Sequence, residues 1–130
     1  MNRRSFLAHG ATVAAGLVLS MPHTLDAAPA LRVTGYELLP VRATSRTVWL
    51  IVRVKTDAGL TGLGEASDAF GFANTTVQDA ARMKAELAVF FALVNGKSPL
   101  EISAYRQQGW PLAQKGGLVS ATAFSAIEDR

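Results

Sequence analysis

The fold of this chain is decided by residues 47–66, TVWLIVRVKTDAGLTGLGEA. Apolar side chains recur at every second position from 48 to 54, a period that is typical of a strand with one buried face. That face is predicted to hold Val48, Leu50, Val52 and Val54. The turn signal Asp57-Ala58-Gly59 follows, and residues 60–66 return as the next strand. The stretch therefore predicts an antiparallel hairpin.

A further strand precedes this hairpin. Residues 31–42 are rich in strand-forming side chains, and Gly35 is a candidate β-bulge. The polar residues 43–46 connect that strand to the next one. Because short connections favour pairing between strands that are neighbours in sequence, we predict a three-stranded antiparallel meander.

The first predicted helix follows a loop over residues 67–74. Thr75 and Gln78 have the spacing of a capping box, and Gly96 is a natural C-terminal stop. Apolar residues repeat at intervals of three and four along the helix and predict one buried stripe. The stripe consists of Val77, Ala80, Met83, Leu87, Phe90 and Val94.

Two more helices are predicted, with a loop between them. Ser98 as N-cap, Pro99 at the first helical position and Glu101 closing the box predict the start of the second helix, which ends near Gly109. The loop lies between Trp110-Pro111 and Gly116-Gly117, and the third helix begins at Leu118. Apolar residues cover most of the third helix, so we expect a body outside this small α+β domain to bury it.

The N-terminus has the pattern of an export signal. Arg3-Arg4 precedes a modestly apolar run and a small-residue site ending at Ala30, which is typical of a twin-arginine signal over residues 1–30. This predicts a mature protein in the periplasm, or in the cytoplasm if the chain fails to fold before export. An uncleaved basic N-terminus is the alternative.

Composition excludes several kinds of chemistry. The formal net charge of +3 is too small for a nucleic-acid footprint, and the chain has no cysteine. Both histidines, His9 and His23, lie in the predicted signal, so residues 31–130 offer no Ser-His-Asp triad, no Cys-His pair and no ordinary zinc site. The acidic residues are dispersed, and we predict no catalytic residue, metal ligand or cofactor site in this chain. Gly62-Leu63-Gly64-Glu65 lacks the third glycine of a phosphate loop.

Three motifs resemble one known family. Residues 47–66 resemble the N-terminal capping domain of the enolase superfamily, in its mandelate racemase/muconate lactonizing enzyme branch, where a strand leads into Thr-Asp-x-Gly and Gly-x-Gly-Glu-Ala. Residues 94–102 resemble the segment before the second helix of that domain. Gly116-Gly117 and residues 125–128 resemble its entry into the barrel domain.

The resemblance implies a cap over a (β/α)7β barrel that carries the catalysis. In that family the barrel holds Mg²⁺ and removes a proton next to a carboxylate, and two loops of the cap close over the substrate. The loops correspond here to 43–46 and 67–74. Their candidate substrate residues are Thr44, Ser45, Arg46, Phe70 and Phe72, for which solvated or packing roles are the alternative.

These observations lead to two hypotheses. In the first, residues 31–117 are the cap and 118–130 begin the connection to a barrel that this sequence does not contain. The parent would be a Mg²⁺-dependent racemase, cycloisomerase or acid-sugar dehydratase, a homo-oligomer, and the chain alone would be inactive. In the second, the chain is a stand-alone exported binding or assembly module without catalysis.

Overall fold

The sheet has the predicted meander topology. The computed structural model describes residues 30–70 and 75–130 of the chain. Strands β1 (Val33–Arg42), β2 (Val48–Thr56) and β3 (Thr61–Glu65) form one antiparallel sheet with β2 in the centre. The register of β1 against β2 shifts between Val33 and Gly35, which confirms the predicted irregularity at Gly35.

The helical layer covers one face of this sheet. A 3-10 turn (Ser67–Phe70) follows β3, and helices α1 (Val77–Phe91) and α2 (Ile102–Glu128) follow it in turn. The fold class predicted from the sequence, α+β with a three-stranded meander, is confirmed. The third predicted helix is the last part of α2, which is broken at Gly117, where φ is 74°.

One core joins the sheet to both helices. Val48, Leu50, Val52 and Val54 are 8%, 0%, 0% and 2% exposed, so the predicted inner face of β2 is confirmed. The helices contribute the other large buried side chains, namely Met83, Leu87, Phe90, Tyr105, Phe124 and Ile127. Two residues of the predicted α1 stripe lie outside the core: Val77, which is 82% exposed in the first turn, and the half-buried Ala80.

The start of α1 lies one residue later than predicted. Thr76, rather than Thr75, is the N-cap, and its side chain accepts a hydrogen bond from Asp79 N. The Asp79 carboxylate accepts in return from Thr76 N at 2.9 Å. An ionised carboxylate at this position is also favoured by the helix dipole, which explains why Asp79 takes the place that Gln78 was predicted to take.

The predicted start of α2 at Ser98 is wrong. The Ser98 hydroxyl accepts from Leu100 N at 3.3 Å, and Glu101 N donates to the Ser98 carbonyl at 3.1 Å. The serine thus caps a separate turn, as such side chains readily do. The helix begins at Ile102 with Glu101 as a cap that makes no side-chain hydrogen bond.

The predicted loop after Gly109 is also wrong, because α2 continues through Gly109 and the exposed Pro111. Gly109 is a packing residue rather than a stop. A Cβ atom at this position would lie 2.6 Å from the Phe124 ring. The break at Gly117 lets the C-terminal arm of α2 (118–128) fold back on the N-terminal arm (102–116), so that Tyr105 stacks on Phe124 with ring centroids 4.9 Å apart.

The C-terminal arm is buried by this chain itself, which corrects the expectation that it needs another body. Val119, Ala123, Phe124, Ala126 and Ile127 are between 0% and 7% exposed. They fill the space between the sheet and the N-terminal arm. Leu118 is the exception, at 63% exposed.

Candidate functional site

The two predicted substrate loops lie at the same end of the sheet. Arg42 pairs with Val48, so the connection 43–47 closes the end at which β2 starts. The segment after β3 returns to that end, where Ala66 N donates to the Leu50 carbonyl at 2.8 Å. The Leu50 N–H donates to the buried Ser67 hydroxyl at 3.0 Å. The register of the meander therefore brings both segments together.

The first loop is a turn fixed by its own hydrogen bonds. Ala43 N donates to the Thr47 carbonyl at 2.9 Å, and Arg46 N donates to the Thr44 hydroxyl at 3.1 Å. Thr44, Ser45 and Arg46 are all exposed. The turn consequently presents two hydroxyls and one guanidinium to solvent, groups that bind carboxylates and hydroxyls of small molecules.

The second loop begins with the 3-10 turn. Phe70 is half-buried and packs against the core, so the packing alternative for this residue has a contact to support it. Phe72 lies in 71–74, outside the described residues. The participation of either aromatic side chain in substrate binding stays a prediction.

A cleft of 410 Å³ lies beside the second loop, and no sequence pattern predicted it. Its walls are the end of β3, the 3-10 turn and the C-terminal arm of α2. Its lining residues are three acidic ones, three that carry a hydroxyl and one alanine, namely Glu65, Asp68, Asp129, Ser67, Thr122, Ser125 and Ala121. Such a lining favours cationic or hydrogen-bonding groups.

The cleft depends on close contact between β3 and α2. A Cβ atom on Gly64 would lie 2.8 Å from the Ala126 carbonyl carbon, and one on Gly62 would lie 2.9 Å from Arg130 Cα. Only glycine allows this approach. The Gly-x-Gly sequence is therefore a packing motif within a strand, and it was the one sequence signal from which the neighbourhood of β3 and α2 could have been inferred.

The buried Tyr105 and the half-buried Arg130 lie beside each other, close to the contact between β3 and α2. The Tyr105 hydroxyl donates to the Phe124 carbonyl at 2.7 Å, and burial raises the pKa of Tyr105. The Arg130 guanidinium carbon lies 5.0 Å from the centre of the tyrosine ring, and burial lowers the pKa of Arg130. Tyr105 thus stays protonated at neutral pH and acts as a structural donor.

The described residues do not fit a magnesium site. Among residues 30–70 and 75–130 no three acidic side chains converge as metal ligands would, although three acidic residues lie along the cleft. The same ranges contain no helix that is long and apolar enough to cross a membrane. Arg3 and Arg4 of the predicted export signal lie outside the described residues.

The chain is similar to part of several solved structures. A mandelate racemase/muconate lactonizing enzyme from Jannaschia sp. CCS1 is 27% identical with a TM-score of 0.54, and the match covers 75% of this chain and 25% of that chain. A protein from Mesorhizobium loti, provisionally named a dehydratase, is 26% identical with a TM-score of 0.58 and the same coverage.

A third solved structure is similar in fold only. An enolase from Agrobacterium radiobacter, provisionally named a galactarate dehydratase and bound to sodium and L-malate, is 21% identical with a TM-score of 0.56, over 75% of this chain and 23% of that chain. No protein-family model and no curated protein matches the sequence. The chain spans about a quarter of the length of the solved structures it matches.

Proposed function

We propose that residues 31–130 are the substrate-capping part of a mandelate racemase/muconate lactonizing-type enzyme. The observation that carries this proposal is the match of 75% of this chain to a quarter of the Jannaschia protein. The motifs at 47–66 and 94–102 support the same assignment. The cap covers a substrate held by a barrel domain and contributes no acid or base to the reaction.

The side chains of the first loop bind the substrate. Arg46 pairs with a carboxylate of the substrate, and the hydroxyls of Thr44 and Ser45 accept or donate hydrogen bonds beside it. Phe70 holds the second loop against the core at the same end of the sheet. The cap thereby orients the substrate and excludes water while the barrel performs proton transfer.

The remaining parts of the proposal concern the parent enzyme. Its substrate is a carboxylate that forms an enediolate, and the reaction is racemisation, cycloisomerisation or dehydration. Magnesium belongs to the barrel, as it does in the family that residues 47–66 resemble. The chain is exported to the periplasm through Arg3 and Arg4 and works beside a barrel domain in a homo-oligomer.

A second candidate function is a stand-alone exported binding module. This candidate requires the described residues to fold alone, and the burial of Ala126 and Ile127, both 0% exposed, is consistent with that requirement. This candidate predicts that the chain binds a partner without contributing to catalysis.

A chimera tests the capping role. Residues 31–130 replace the matching quarter of the Jannaschia protein, and exchange of the proton next to the carboxylate is followed by NMR in D₂O with Mg²⁺ and a panel of α-hydroxy and sugar acids. Arg46→Ala should lower kcat/KM by about tenfold through a higher KM, the loss expected for one charged hydrogen bond.

The matched control is Leu60→Ala, in the turn at the opposite end of β2. Leu60 is 61% exposed and lies at the end of the sheet opposite to the first loop, so this change should leave kcat/KM unaltered. A soluble, active chimera in which Arg46→Ala and Leu60→Ala behave alike would contradict the role given to Arg46. A folded, inactive chimera would favour the binding-module alternative.

A further inference from the structure

Ser67 lies at the point where the chain leaves the sheet after β3. Val52 pairs with Gly64, so the same register places Leu50 opposite Ala66. In an antiparallel ladder, residues paired in this way exchange two hydrogen bonds between their N–H and carbonyl groups. The first of these is present, since Ala66 N donates to the Leu50 carbonyl at 2.8 Å. For the second, the Leu50 N–H donates instead to the Ser67 hydroxyl at 3.0 Å.

The Ser67 hydroxyl therefore replaces the Ala66 carbonyl as the acceptor for β2. Leu50 is 0% exposed and Ser67 is 2% exposed, so water does not reach this bond. A buried N–H group that loses its acceptor is strongly destabilising. Because a side chain satisfies the Leu50 N–H, the backbone can turn away from the sheet directly after Ala66 without leaving a donor unpaired.

The 3-10 turn at Ser67–Phe70 takes its position from this bond and from packing. The turn contacts β2 and α2, and Ala69 and Phe70 pack against the core. Among residues 30–70 and 75–130, the bond to Ser67 is the only side-chain hydrogen bond between this turn and the sheet. It therefore decides where the second loop starts relative to β2.

We propose that Ser67 is a positioning residue of the substrate cap. Its hydroxyl fixes the start of the second loop to Leu50, two residues after β2 begins at Val48, and so holds that loop beside the first loop before substrate binds. Ser67 acts through the loop and does not touch the substrate. The effect on substrate rests on the proposed function, whereas the anchoring of the loop is a property of this chain alone.

Hydrogen exchange in the wild-type 130-residue chain, followed by NMR, tests the anchoring bond. The Leu50 amide should exchange as slowly as that of Val52, which pairs with Gly64 in the regular ladder, although the acceptor for Leu50 is a side chain. Exchange of the Leu50 amide at the rate of an exposed group would overturn the proposal, whatever the variants show.

Chymotrypsin cleavage after Phe70 measures release of the second loop. Ser67→Ala removes the acceptor and should speed this cleavage by about tenfold, whereas cleavage after Phe124, which is 4% exposed in the C-terminal arm, should not change. Ser67→Thr keeps the hydroxyl, and the adjoining cleft has room for the added methyl group, so this variant should cleave like the wild type.

The matched control is Ser98→Ala. This change also removes a serine hydroxyl that accepts from a backbone N–H, that of Leu100, but in an exposed turn. The turn lies at the opposite end of the sheet, where Val33 N donates to the Lys97 carbonyl. Both cleavage rates should stay unaltered in this variant.

Three results of the cleavage experiment would overturn the proposal. The first is an unchanged rate after Phe70 in Ser67→Ala. The second is equal acceleration after Phe70 and Phe124, which would show a general loss of stability. The third is a Ser67→Thr variant that cleaves like Ser67→Ala, because the hydroxyl would then not be the cause.

The chimera with the Jannaschia protein tests the effect on substrate. Ser67→Ala should raise KM by about tenfold and leave kcat unaltered, since the loop acts in binding, and Ser67→Thr should restore KM. An unaltered KM in a chimera whose second loop is released would overturn the positioning role. A chimera without activity would contradict the proposed function, and the cleavage rates would still decide whether Ser67 anchors the loop.

Discussion

Gly64 of β3 lies directly against the backbone of Ala126 in α2. A Cβ atom on this glycine would lie 2.8 Å from the Ala126 carbonyl carbon and 3.0 Å from its Cα. Both residues are buried, so neither element can move away without opening the core. This contact fixes the C-terminal arm on the sheet and forms one wall of the cleft.

Gly64→Ala should therefore destabilise the fold by about 1–3 kcal/mol, the usual cost of overpacking a core. Urea denaturation of the 130-residue chain measures the change in free energy of unfolding. Gly35→Ala is the control, because no heavy atom lies within 4 Å of its Cβ position. Equal stability of the two variants would show that α2 does not pack as described.

The start of α1 can be tested with two adjacent threonines. Thr76→Ala removes the side-chain acceptor of the capping box and should cost about 1 kcal/mol. Thr75→Val should leave stability unchanged or slightly raised, since the buried Thr75 hydroxyl has no partner among the described residues. The same urea titration checks both. A larger loss for Thr75→Val would restore the capping box predicted from the sequence.

Tyr105 should make the fold sensitive to alkali. Burial raises its pKa, so its stabilising contribution is complete below about pH 10, where the unfolded tyrosine titrates, and is lost as the pH rises further. In a Tyr36→Phe background Tyr105 is the only tyrosine. Its tyrosinate absorbance should appear together with the loss of circular dichroism. Ionisation while the native spectrum persists would contradict its burial.

Glu37 should contribute a small, salt-sensitive stabilisation. Hydrogen bonds from Lys55 and Arg53 lower the pKa of Glu37, so the contribution is present above the unfolded pKa and is lost as the pH falls through the folded one. Glu37→Gln should lower Tm slightly at neutral pH, and the difference should vanish in acid and shrink in high salt. A difference that persists under both conditions would exclude an ionic origin.

Local sequence patterns predicted the sheet. The course of α2 and the cleft depend instead on contacts between segments that are distant in sequence. The period of two in β2 and the turn at Asp57-Ala58-Gly59 sufficed for the meander, since both act within a few residues. Gly109 was interpreted as a helix stop because its packing partner, Phe124, is distant in sequence. For the same reason the cleft between β3 and α2 was not predicted, although the Gly-x-Gly sequence at 62–64 is the signal from which their close contact could have been inferred.

The same limit applies to the candidate site. The polar connection 43–46 was recognised from its composition, and its position beside the second loop follows from strand register. The roles of Arg46 and Phe70 toward substrate came from the family resemblance alone. No pattern within this chain specifies what lies above those loops.

The most direct test of the capping role compares proton exchange by three proteins. These are the 130-residue chain, the Jannaschia protein without its matching quarter, and the chimera of the two, each with Mg²⁺ and the same panel of acids in D₂O. We predict exchange next to the carboxylate by the chimera only. Exchange catalysed by the 130-residue chain alone would contradict the account, because it would place the chemistry in the cap.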